Sequence, residues 1–534
     1  MARRNGAARG EAVAASKANP PRGSGRATLV VMLGIGVSRV FGLVREQVVA
    51  FYFGRAAVYS AFVAAYKIPN LVRVLLGEGN LSASFIPVLA ERMRAAEPGA
   101  ARRLAQSVLG LVLLAVGLAT IAGMVTAPLL AWVVAPGFDS ELRGLVARLI
   151  VVLFPTCAFM VLGAWCMGVL HAHGRFFWPN MAPLFWSVVS AAALIAFVGR
   201  TRWDPVWILA WGVVAGSAVQ LLVQLPSTRA VLGTLTPRGG WSDPAVQRVV
   251  ALFLPMLAGT GVAQLSSVVD IEIATFLGNE GVATLAYAQR IYLLPLSLFG
   301  VAIAQVALPT LAHEAEGAGW EKPVTAIRSE LGVAWRRMAF FVLPSTLGLV
   351  AFGLPAVSVL FEHGAFDAAD TAAVTWVLAG YAAGLLAYGS VRLLATAFYA
   401  LQDTRTPVRV AIWTLFANVA LGIGLAWWIG TPGIALATAL ASSLNALVLV
   451  RKLRARLGGV LDPGAWGDVR AMLVALAVAG AIGAAPYLWI LDRWPAWELG
   501  PRIAATAGLY ALVGGVYLVA TRAMGVDLTL RRAR

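Results

Sequence analysis

The chain has 534 residues, of which 60% are hydrophobic and only 13% are charged. A soluble domain is about 45–50% apolar and about 25% charged, so this composition excludes an ordinary soluble protein and indicates one polytopic membrane domain. The net charge is +17, and much of it lies in the tail Met1–Arg26 and in short loops, which suits an anionic cytoplasmic leaflet better than a nucleic acid.

The first 26 residues are polar, basic and rich in Ala and Gly, without the apolar region of a signal peptide, so we expect a disordered tail. Fourteen apolar spans follow, and they predict an all-α polytopic membrane protein with fourteen transmembrane helices. The spans are Thr28–Phe53, Val58–Leu76, Leu104–Val134, Leu145–Leu170, Trp178–Val198, Val206–Leu225, Val249–Leu277, Ala283–Leu311, Leu331–Phe361, Thr371–Leu401, Pro407–Ile429, Gly433–Val450, Ala471–Leu491 and Ile503–Ala523.

The even number of spans places both ends of the chain on the same side of the membrane. Lys and Arg residues concentrate in the tail and in the loops on that side. Because basic loops stay in the cytoplasm, we expect both termini to be cytoplasmic.

A weak internal repeat runs through the chain. Phe53-Gly54 recurs as Leu277-Gly278, and Lys67-Ile68 recurs as Arg290-Ile291. We therefore expect two six-helix halves in the same orientation, related by a pseudo-two-fold axis, with two further helices at the carboxyl end. Parallel repeats of this kind are typical of transporters that bind substrate between the halves. The predicted units are residues 1–27 (tail), 28–226 (first half), 227–456 (second half) and 457–534 (two extra helices and a cytoplasmic tail).

Six cations lie inside these apolar spans. Each costs about 2.5–3.5 kcal/mol at a helix centre, so such residues normally face a cavity, a counter-charge or a substrate. Guanidinium groups suit two-point contacts with phosphate, and an ammonium group acts as a point charge. The pattern therefore predicts a site for an anion within the membrane. The six residues are Arg39, Arg45, Lys67, Arg73, Arg290 and Arg392.

Three polar residues near these cations are candidates for supporting or pairing roles: Glu46, Asn70 and Glu78. An alternative interpretation is an internal network of salt bridges, such as Arg39–Glu46 and Arg73–Glu78, with the terminal cations reaching the membrane surface. Two acids cannot neutralise all six cations, which favours the anion site.

Asp270 interrupts an apolar span, and it either ligates a coupling cation or pairs with a cavity arginine; we slightly favour pairing. Asp403, in Gln402-Asp403-Thr404-Arg405-Thr406-Pro407, is a weaker candidate for ion coupling, since the pattern is more typical of a turn and helix cap. No Walker loop, nucleotide fingerprint, nucleophile elbow or zinc motif is found. We therefore predict no catalytic residue, no metal site, no cofactor beyond a possible coupling Na⁺ or H⁺, and no nucleic-acid partner.

Several motifs together resemble the MurJ (MviN) family of lipid II flippases. The resemblance extends from about Thr28 to Arg456. It is carried by Ser38-Arg39-Val40-Phe41-Gly42-Leu43-Val44-Arg45-Glu46, Lys67-Ile68-Pro69-Asn70-Leu71-Val72-Arg73, Gly77-Glu78-Gly79, Phe85-Ile86-Pro87, Tyr287-Ala288-Gln289-Arg290, Gly300-Val301-Ala302, Leu308-Pro309, Phe398-Tyr399, Gln402-Asp403 and Thr406-Pro407.

The resemblance implies a fourteen-helix exporter of the MOP superfamily (multidrug/oligosaccharidyl-lipid/polysaccharide) in the bacterial inner membrane, not an enzyme. Its substrate would be lipid II, the undecaprenyl-pyrophosphate-linked disaccharide-pentapeptide precursor of peptidoglycan. Membrane lipids would surround it, and the cell-wall synthesis machinery is a possible partner. Arg39, Arg45, Arg73 and Arg290 match the essential arginines of the family, and Lys67 and Arg392 match further cavity cations.

The sequence also departs from the family pattern. Glu46 stands where Asp is usual, and Ser60 and Gln289 replace acids that are common in family members. Two other functions remain open at this point: a different MOP exporter, for O-antigen or for drugs, and a polyprenyl-phosphate transferase. A drug exporter for cations would favour acids in its cavity, and a transferase would need a cluster of carboxylates that we do not find.

Overall fold

The computed structural model describes residues 24–77, 79–94, 97–301, 303–304, 307, 311, 321–401, 403–459 and 463–526. All regular secondary structure in these ranges is helical, which confirms the predicted all-α class for this part of the chain. The first helices are α1 (Ser24–Phe53), α2 (Ala57–Leu76), α3 (Asn80–Arg94), α4 (Ala100–Val125), α5 (Ala127–Val134), α6 (Ser140–Ala172), α7 (Phe177–Phe197), α8 (Pro205–Leu222), α9 (Leu225–Leu232) and α10 (Pro244–Thr275). The remainder are α11 (Gly281–Pro295), which continues as a π-helical segment (Leu296–Val301), α12 (Glu321–Ala351), α13 (Gly353–Phe361), α14 (Ala368–Ala383), α15 (Leu385–Ala400), α16 (Arg405–Ile429), α17 (Thr431–Leu457), α18 (Pro463–Arg493) and α19 (Leu499–Ala523).

Eleven helical stretches in the described residues are long and apolar enough to cross a membrane. Helices α1, α2 and α10 coincide with three of the fourteen predicted spans but are not among the eleven. These three helices carry Arg39, Arg45, Lys67, Arg73 and Asp270. Most of the predicted site residues therefore lie on these three helices. Two predictions lie outside the described residues: the disordered tail as far as residue 23, and the supporting role of Glu78. For residues 24–26 the prediction of disorder was wrong, because α1 begins at Ser24.

Three predicted spans are each divided into two helices. Breaks fall at Thr126 between α4 and α5, at Phe352 between α12 and α13, and at Gly384 between α14 and α15. Gly384 is required by a close helix contact, because a Cβ atom there would lie only 2.7 Å from the Cα atom of Ala439 in α17. The break at Gly384 lies where α14 and α15 both pack on α17.

Helix α3 has 15 residues, too few to span a membrane, and the sequence analysis assigned no span to this segment. It buries Phe85 and Leu89 in contact with α6 and keeps Glu91 and Arg94 exposed. Its charged face pairs with the start of α10, since Arg248 Nη1 lies 2.6 Å from Glu91 Oε2.

Helices α1–α9, which we call the first group, pack mainly on one another: α2 and α8 contact α6, and α1 contacts α7. Helices α11–α17, the second group, do the same, with α14, α15 and α16 all contacting α17. Helix α10 contacts α2 and α3 in the first group and α16 in the second. Helices α18 and α19 pack on each other and on α12, where Phe340 and Tyr517 meet.

Candidate functional site

A cavity of about 460 Å³ lies where α2, α6, α7 and α8 of the first group face α10 and α11. Its charged lining residues are Lys67, Arg73 and Arg290, and the described lining includes no carboxylate. Three of the six predicted cations are thus brought into one chamber. The local charge of the described lining is positive, which suits an anionic group.

Helix α2 places Lys67, Asn70 and Arg73 on the same wall because they follow one another at three-residue intervals. Arg73 Nε donates a hydrogen bond to Asn70 Oδ1 at 3.0 Å, so the amide orients the guanidinium group. Pro69 lies within this helix and is buried; it removes one backbone donor from the middle of the wall. The predicted supporting residue Asn70 therefore lies in the cavity beside a cation.

Arg290 reaches the cavity from α11 and joins a network with Arg45 and Glu46 of α1, which we call the cavity network. Arg45 pairs with the Glu46 carboxylate, and Arg290 Nε lies 3.2 Å from Glu46 Oε1. Glu46 is 4% exposed, whereas 46% of the Arg290 side chain is accessible. One acid thus serves two guanidinium groups. The structure pairs Glu46 with Arg45 and Arg290, not with Arg39 as in the alternative interpretation of the sequence.

Arg45 does not itself line the cavity, but it lies directly behind the wall. Its guanidinium carbon is 3.9 Å from the centroid of the Trp186 ring, and Trp186 lines the cavity. This contact is a cation–π interaction. It fixes the indole ring against the cavity network.

The two other predicted cations lie outside this cavity in the conformation described. Arg39 is exposed and donates a hydrogen bond to Ser297 Oγ in the π-helical segment. Arg392 is exposed on α15. The structure therefore brings together three predicted cations in the lining and one behind it, and leaves two apart.

Asp270 lies on α10 and is 4% exposed. Its Oδ1 accepts a hydrogen bond from Asn418 Nδ2 at 3.2 Å, and its Oδ2 accepts one from Thr438 Oγ1 at 3.3 Å. Asn418 and Thr438 belong to α16 and α17. No cation among the described residues lies within ion-pair distance, so the partners of this carboxylate here are an amide and a hydroxyl.

Asp403 lies in the turn before α16 and is positioned as the sequence pattern of a helix cap predicts. Its carboxylate accepts bonds from Thr406 N at 2.9 Å and Thr406 Oγ1 at 2.6 Å, and Arg456 Nη2 lies 2.6 Å away. The hydrogen bonds from Thr406, with help from Arg456, lower the pKa of Asp403 to about 2. Asn418, which contacts Asp270, lies 13 residues after Arg405, the first residue of α16. At a rise of 1.5 Å per residue it is about 20 Å from that end of the helix. The two acids therefore do not share one ion site.

A second network joins the two groups at the turn between α1 and α2, and we call it the end network. Arg55 Nε lies 2.7 Å from Asp370 Oδ1, and Arg55 Nη2 lies 3.3 Å from Glu280 Oε2. Beside it, Ala365 N donates to the carbonyl of Phe51 at 2.8 Å. The sequence analysis missed this network because Arg55 lies in a loop, where a charged side chain is expected and does not indicate a special site.

The sequence analysis also missed three uncharged polar residues of the lining, Trp186, Gln220 and Gln224. Gln289, noted there only as a departure from the family pattern, lines the cavity too. Gln220 and Gln224 are four residues apart in an otherwise apolar stretch. In a continuous helix that spacing would put both amides on one face, and it was the signal available in the sequence. In the structure Gln224 lies in the turn between α8 and α9.

Comparison with known proteins gives a consistent result. Residues 49–504 match the family model described as lipid II flippase MurJ. A probable lipid II flippase MurJ from Vibrio cholerae is 32% identical, with 92% of this chain and 94% of the relative covered. A lipid II flippase MurJ from Burkholderia cenocepacia is also 32% identical, with 95% and 99% covered.

Solved structures support the same fold. A lipid II flippase MurJ in an inward closed conformation superposes with a TM-score of 0.72 at 22% identity, with 92% of this chain and 99% of that chain covered. An inward-facing multidrug resistance MATE family transporter of the MOP superfamily superposes with a TM-score of 0.60 at 16% identity, with 81% and 94% covered. At these identities the likeness shows the fold alone. The family model and the two relatives carry the assignment: this chain belongs to the MurJ family of lipid II flippases.

Proposed function

We propose that this protein is a lipid II flippase, which moves the undecaprenyl-pyrophosphate-linked peptidoglycan precursor from the cytoplasmic to the outer leaflet of the bacterial inner membrane. The observation that carries the proposal is the convergence of Lys67, Arg73 and Arg290 on one cavity whose described lining has no carboxylate. A pyrophosphate is the part of lipid II that such a chamber would recognise. The names of the relatives from Vibrio cholerae and Burkholderia cenocepacia support this substrate.

The chemistry required is binding and release, without a covalent step. The cations replace the water that solvates the two phosphates, and arginine forks meet phosphate oxygens at two points. The sugars and peptide occupy the wet cavity while the lipid tail stays in the bilayer. The protein thereby lowers the cost of moving a polar headgroup through hydrocarbon.

Transport follows from alternating access, in which the two groups of helices rock about the cavity.

We assign fourteen transmembrane helices, adding α1, α2 and α10 to the eleven apolar stretches, with both termini in the cytoplasm. Two six-helix halves related by a pseudo-two-fold axis, residues 28–226 and 227–456, account for the repeat, and α18 and α19 are the two extra helices. The separate packing of the first and second groups supports this division.

The oxygen atoms around Asp270 fit a small hard cation such as Na⁺, which prefers carboxylate, carbonyl and hydroxyl ligands. Besides the two oxygens of Asp270 and the hydroxyl of Thr438, Asn418 Oδ1 is buried and has no hydrogen-bond partner in the described structure. These three residues would hold the ion, whose positive charge would compensate the buried carboxylate. This assignment replaces our slight preference for an arginine partner.

A transport assay tests the proposed function. Purified protein is reconstituted in vesicles with fluorescent lipid II in one leaflet, and the appearance of lipid II in the other leaflet is measured by a membrane-impermeant quencher. We expect flipping of lipid II, none in protein-free vesicles, and none of a phospholipid with the same fluorophore. Equal flipping of an O-antigen lipid or the phospholipid would contradict the assigned substrate.

A further inference from the structure

Two buried polar atoms in the wall of the cavity have no partner in the described structure. Trp186 Nε1 is a hydrogen-bond donor, and Gln224 Oε1 is an acceptor. Both residues line the cavity on the side of the first group. Gln224 is only 2% exposed, so bulk water does not satisfy its amide oxygen.

The surrounding contacts hold these groups in place. Gln224 Nε2 donates to the carbonyl of Gln220 at 3.0 Å, which leaves the amide oxygen as the free end of the side chain. The Trp186 ring is stacked on the guanidinium group of Arg45, which is a member of the cavity network. Gly216, two turns before Gln224, packs on the backbone of Trp186, since a Cβ atom at residue 216 would lie 2.8 Å from the Trp186 carbonyl oxygen. Close packing of α7 on α8 thus places donor and acceptor in one wall.

An unpartnered buried donor or acceptor is costly, and native proteins keep few of them. A pair of opposite type, both in the wall of a substrate cavity, indicates that the partner is the substrate. A pyrophosphate does not fit, because it carries acceptors only and would leave the glutamine oxygen unpaired. The complementary group must offer both a donor and an acceptor.

We propose that Trp186 and Gln224 form a subsite for a secondary amide of the transported headgroup, in which the indole N–H donates to the amide oxygen and Gln224 accepts from the amide N–H. The proposal rests on the proposed function, because lipid II carries such amides in two places: the acetamido groups of its sugars and the bonds of its peptide. The cationic residues then bind the phosphates, and Trp186 and Gln224 contact an uncharged part of the headgroup. Both atoms are shielded in the absence of a ligand, so the proposal requires the two side chains to turn toward the cavity when the headgroup enters.

Two conservative variants test the subsite. Trp186→Phe keeps an aromatic face for Arg45 and removes the N–H, and Gln224→Met keeps the side-chain length and removes the oxygen. Matched controls are Trp165→Phe and Gln106→Met, because Trp165 Nε1 already donates to Ala105 O at 3.2 Å and Gln106 Nε2 to Thr234 O at 3.0 Å, both outside this cavity. Binding to the purified, full-length protein is measured with undecaprenyl pyrophosphate, with lipid II, and with lipid II from which the peptide has been removed.

We expect Trp186→Phe and Gln224→Met each to weaken lipid II binding about tenfold, the loss of about one hydrogen bond, while affinity for undecaprenyl pyrophosphate changes less than about twofold. Without ligand, both variants should melt at the same temperature as the parent or higher, because an unsatisfied atom is removed. The two controls should melt lower and bind all three lipids as the parent does.

The three lipids also identify the amide. A tenfold loss that persists with the peptide-free lipid assigns the subsite to a sugar acetamido group, and a loss only with the peptide present assigns it to the peptide. Equal weakening of all three lipids, or no weakening of any, would overturn the subsite. Failure of the parent protein to bind lipid II would instead refute the proposed function, so the two ideas fail separately.

Discussion

The two charged networks that join the first group of helices to the second have opposite charge balances. The cavity network has two arginines, Arg45 and Arg290, for one carboxylate. The end network has one arginine, Arg55, for two carboxylates. Only the first has cationic hydrogen-bond donors to spare. The comparison suggests that the cavity network binds a mobile anion and that the end network holds two pieces of protein together.

Exposure supports the same distinction. In the end network both closely paired side chains are largely buried, with 17% of Arg55 and 13% of Asp370 accessible. In the cavity network Glu46 is buried but 46% of Arg290 is accessible. A guanidinium group that is paired on one side and open on the other can accept a second anion without losing its first. The following predictions test this comparison.

The largest effect is expected from the open cation. Arg290→Ala should reduce lipid II flipping about a hundredfold, equal to about 3 kcal/mol of lost interaction, because the cavity loses charge-assisted hydrogen bonds to phosphate. Arg290→Lys should recover only part of the loss, since an ammonium group lacks the two-point fork. The vesicle assay measures both variants.

Arg248→Ala is the control for this prediction, because it removes an arginine from an ion pair with Glu91 in which both side chains are more than half exposed. It should flip lipid II at the parent rate, since exposed ion pairs contribute little. Full activity of Arg290→Ala would show that the excess charge of the cavity network is not used for binding.

The end network should affect the conformational equilibrium and leave lipid II affinity intact. Arg55→Ala leaves Asp370 without its partner, which should shift the population toward a state open at this end by about tenfold, or about 1.4 kcal/mol. The measurement is the labelling rate of a cysteine at buried Ser60 by a water-soluble maleimide, with Cys157 and Cys166 replaced by alanine. Arg55→Asp combined with Asp370→Arg should return labelling toward the parent rate. Slower labelling in Arg55→Ala would contradict the holding role.

Asp270 differs from the acids of both networks, because no cation among the described residues lies within ion-pair distance of its carboxylate. If it holds Na⁺ with Asn418 and Thr438, Asp270→Asn should raise the sodium concentration needed for half-maximal transport about fivefold, about 1 kcal/mol, with sodium-free lipid II affinity unchanged. Glu272→Gln is the matched control, because this neighbouring acid on α10 has no ion pair among the described residues. An unchanged sodium response together with weaker lipid II binding would restore the pairing interpretation.

The smallest effect is expected at Asp403, which belongs to neither network and does not line the cavity. It should matter for stability alone. Its pKa is about 2 in the folded protein and about 3.9 in the unfolded chain. The stabilisation is therefore complete above about pH 4 and is lost as the pH falls towards 2. Asp403→Ala should lower the free energy of unfolding by about 1 kcal/mol at pH 7 and abolish this part of the acid dependence, with flipping unchanged. Thermal melting between pH 2 and pH 7 measures it.

Much of the fold and part of the site could be predicted from the sequence. Apolar length predicted the helices, because each must satisfy its own backbone in hydrocarbon. The cost of a buried charge identified Arg290 and Lys67 as cavity residues. The same argument could not separate them from Arg39 and Arg392, since an insertion cost depends on depth in the membrane and does not give the direction a side chain faces.

Neutral polar residues were harder to interpret. The spacing of Gln220 and Gln224 indicated a polar face, but only the helix packing shows that the polar atoms of Gln224 and Trp186 are enclosed without a partner. The end network was missed for a similar reason. Arg55, Glu280 and Asp370 are ordinary loop and helix-end residues until three distant segments of chain are brought together.

The sequence by itself determined that this is a helical membrane protein whose apolar spans hold more cations than nearby acids can pair, because composition and charge can be read along the chain. The tertiary structure decided which cations share a chamber, which acid each one meets and which polar atoms are left unpaired. Those outcomes depend on distances between residues that are far apart in sequence. Since Coulomb and hydrogen-bond energies change over a few ångströms, no pattern along the chain can specify them.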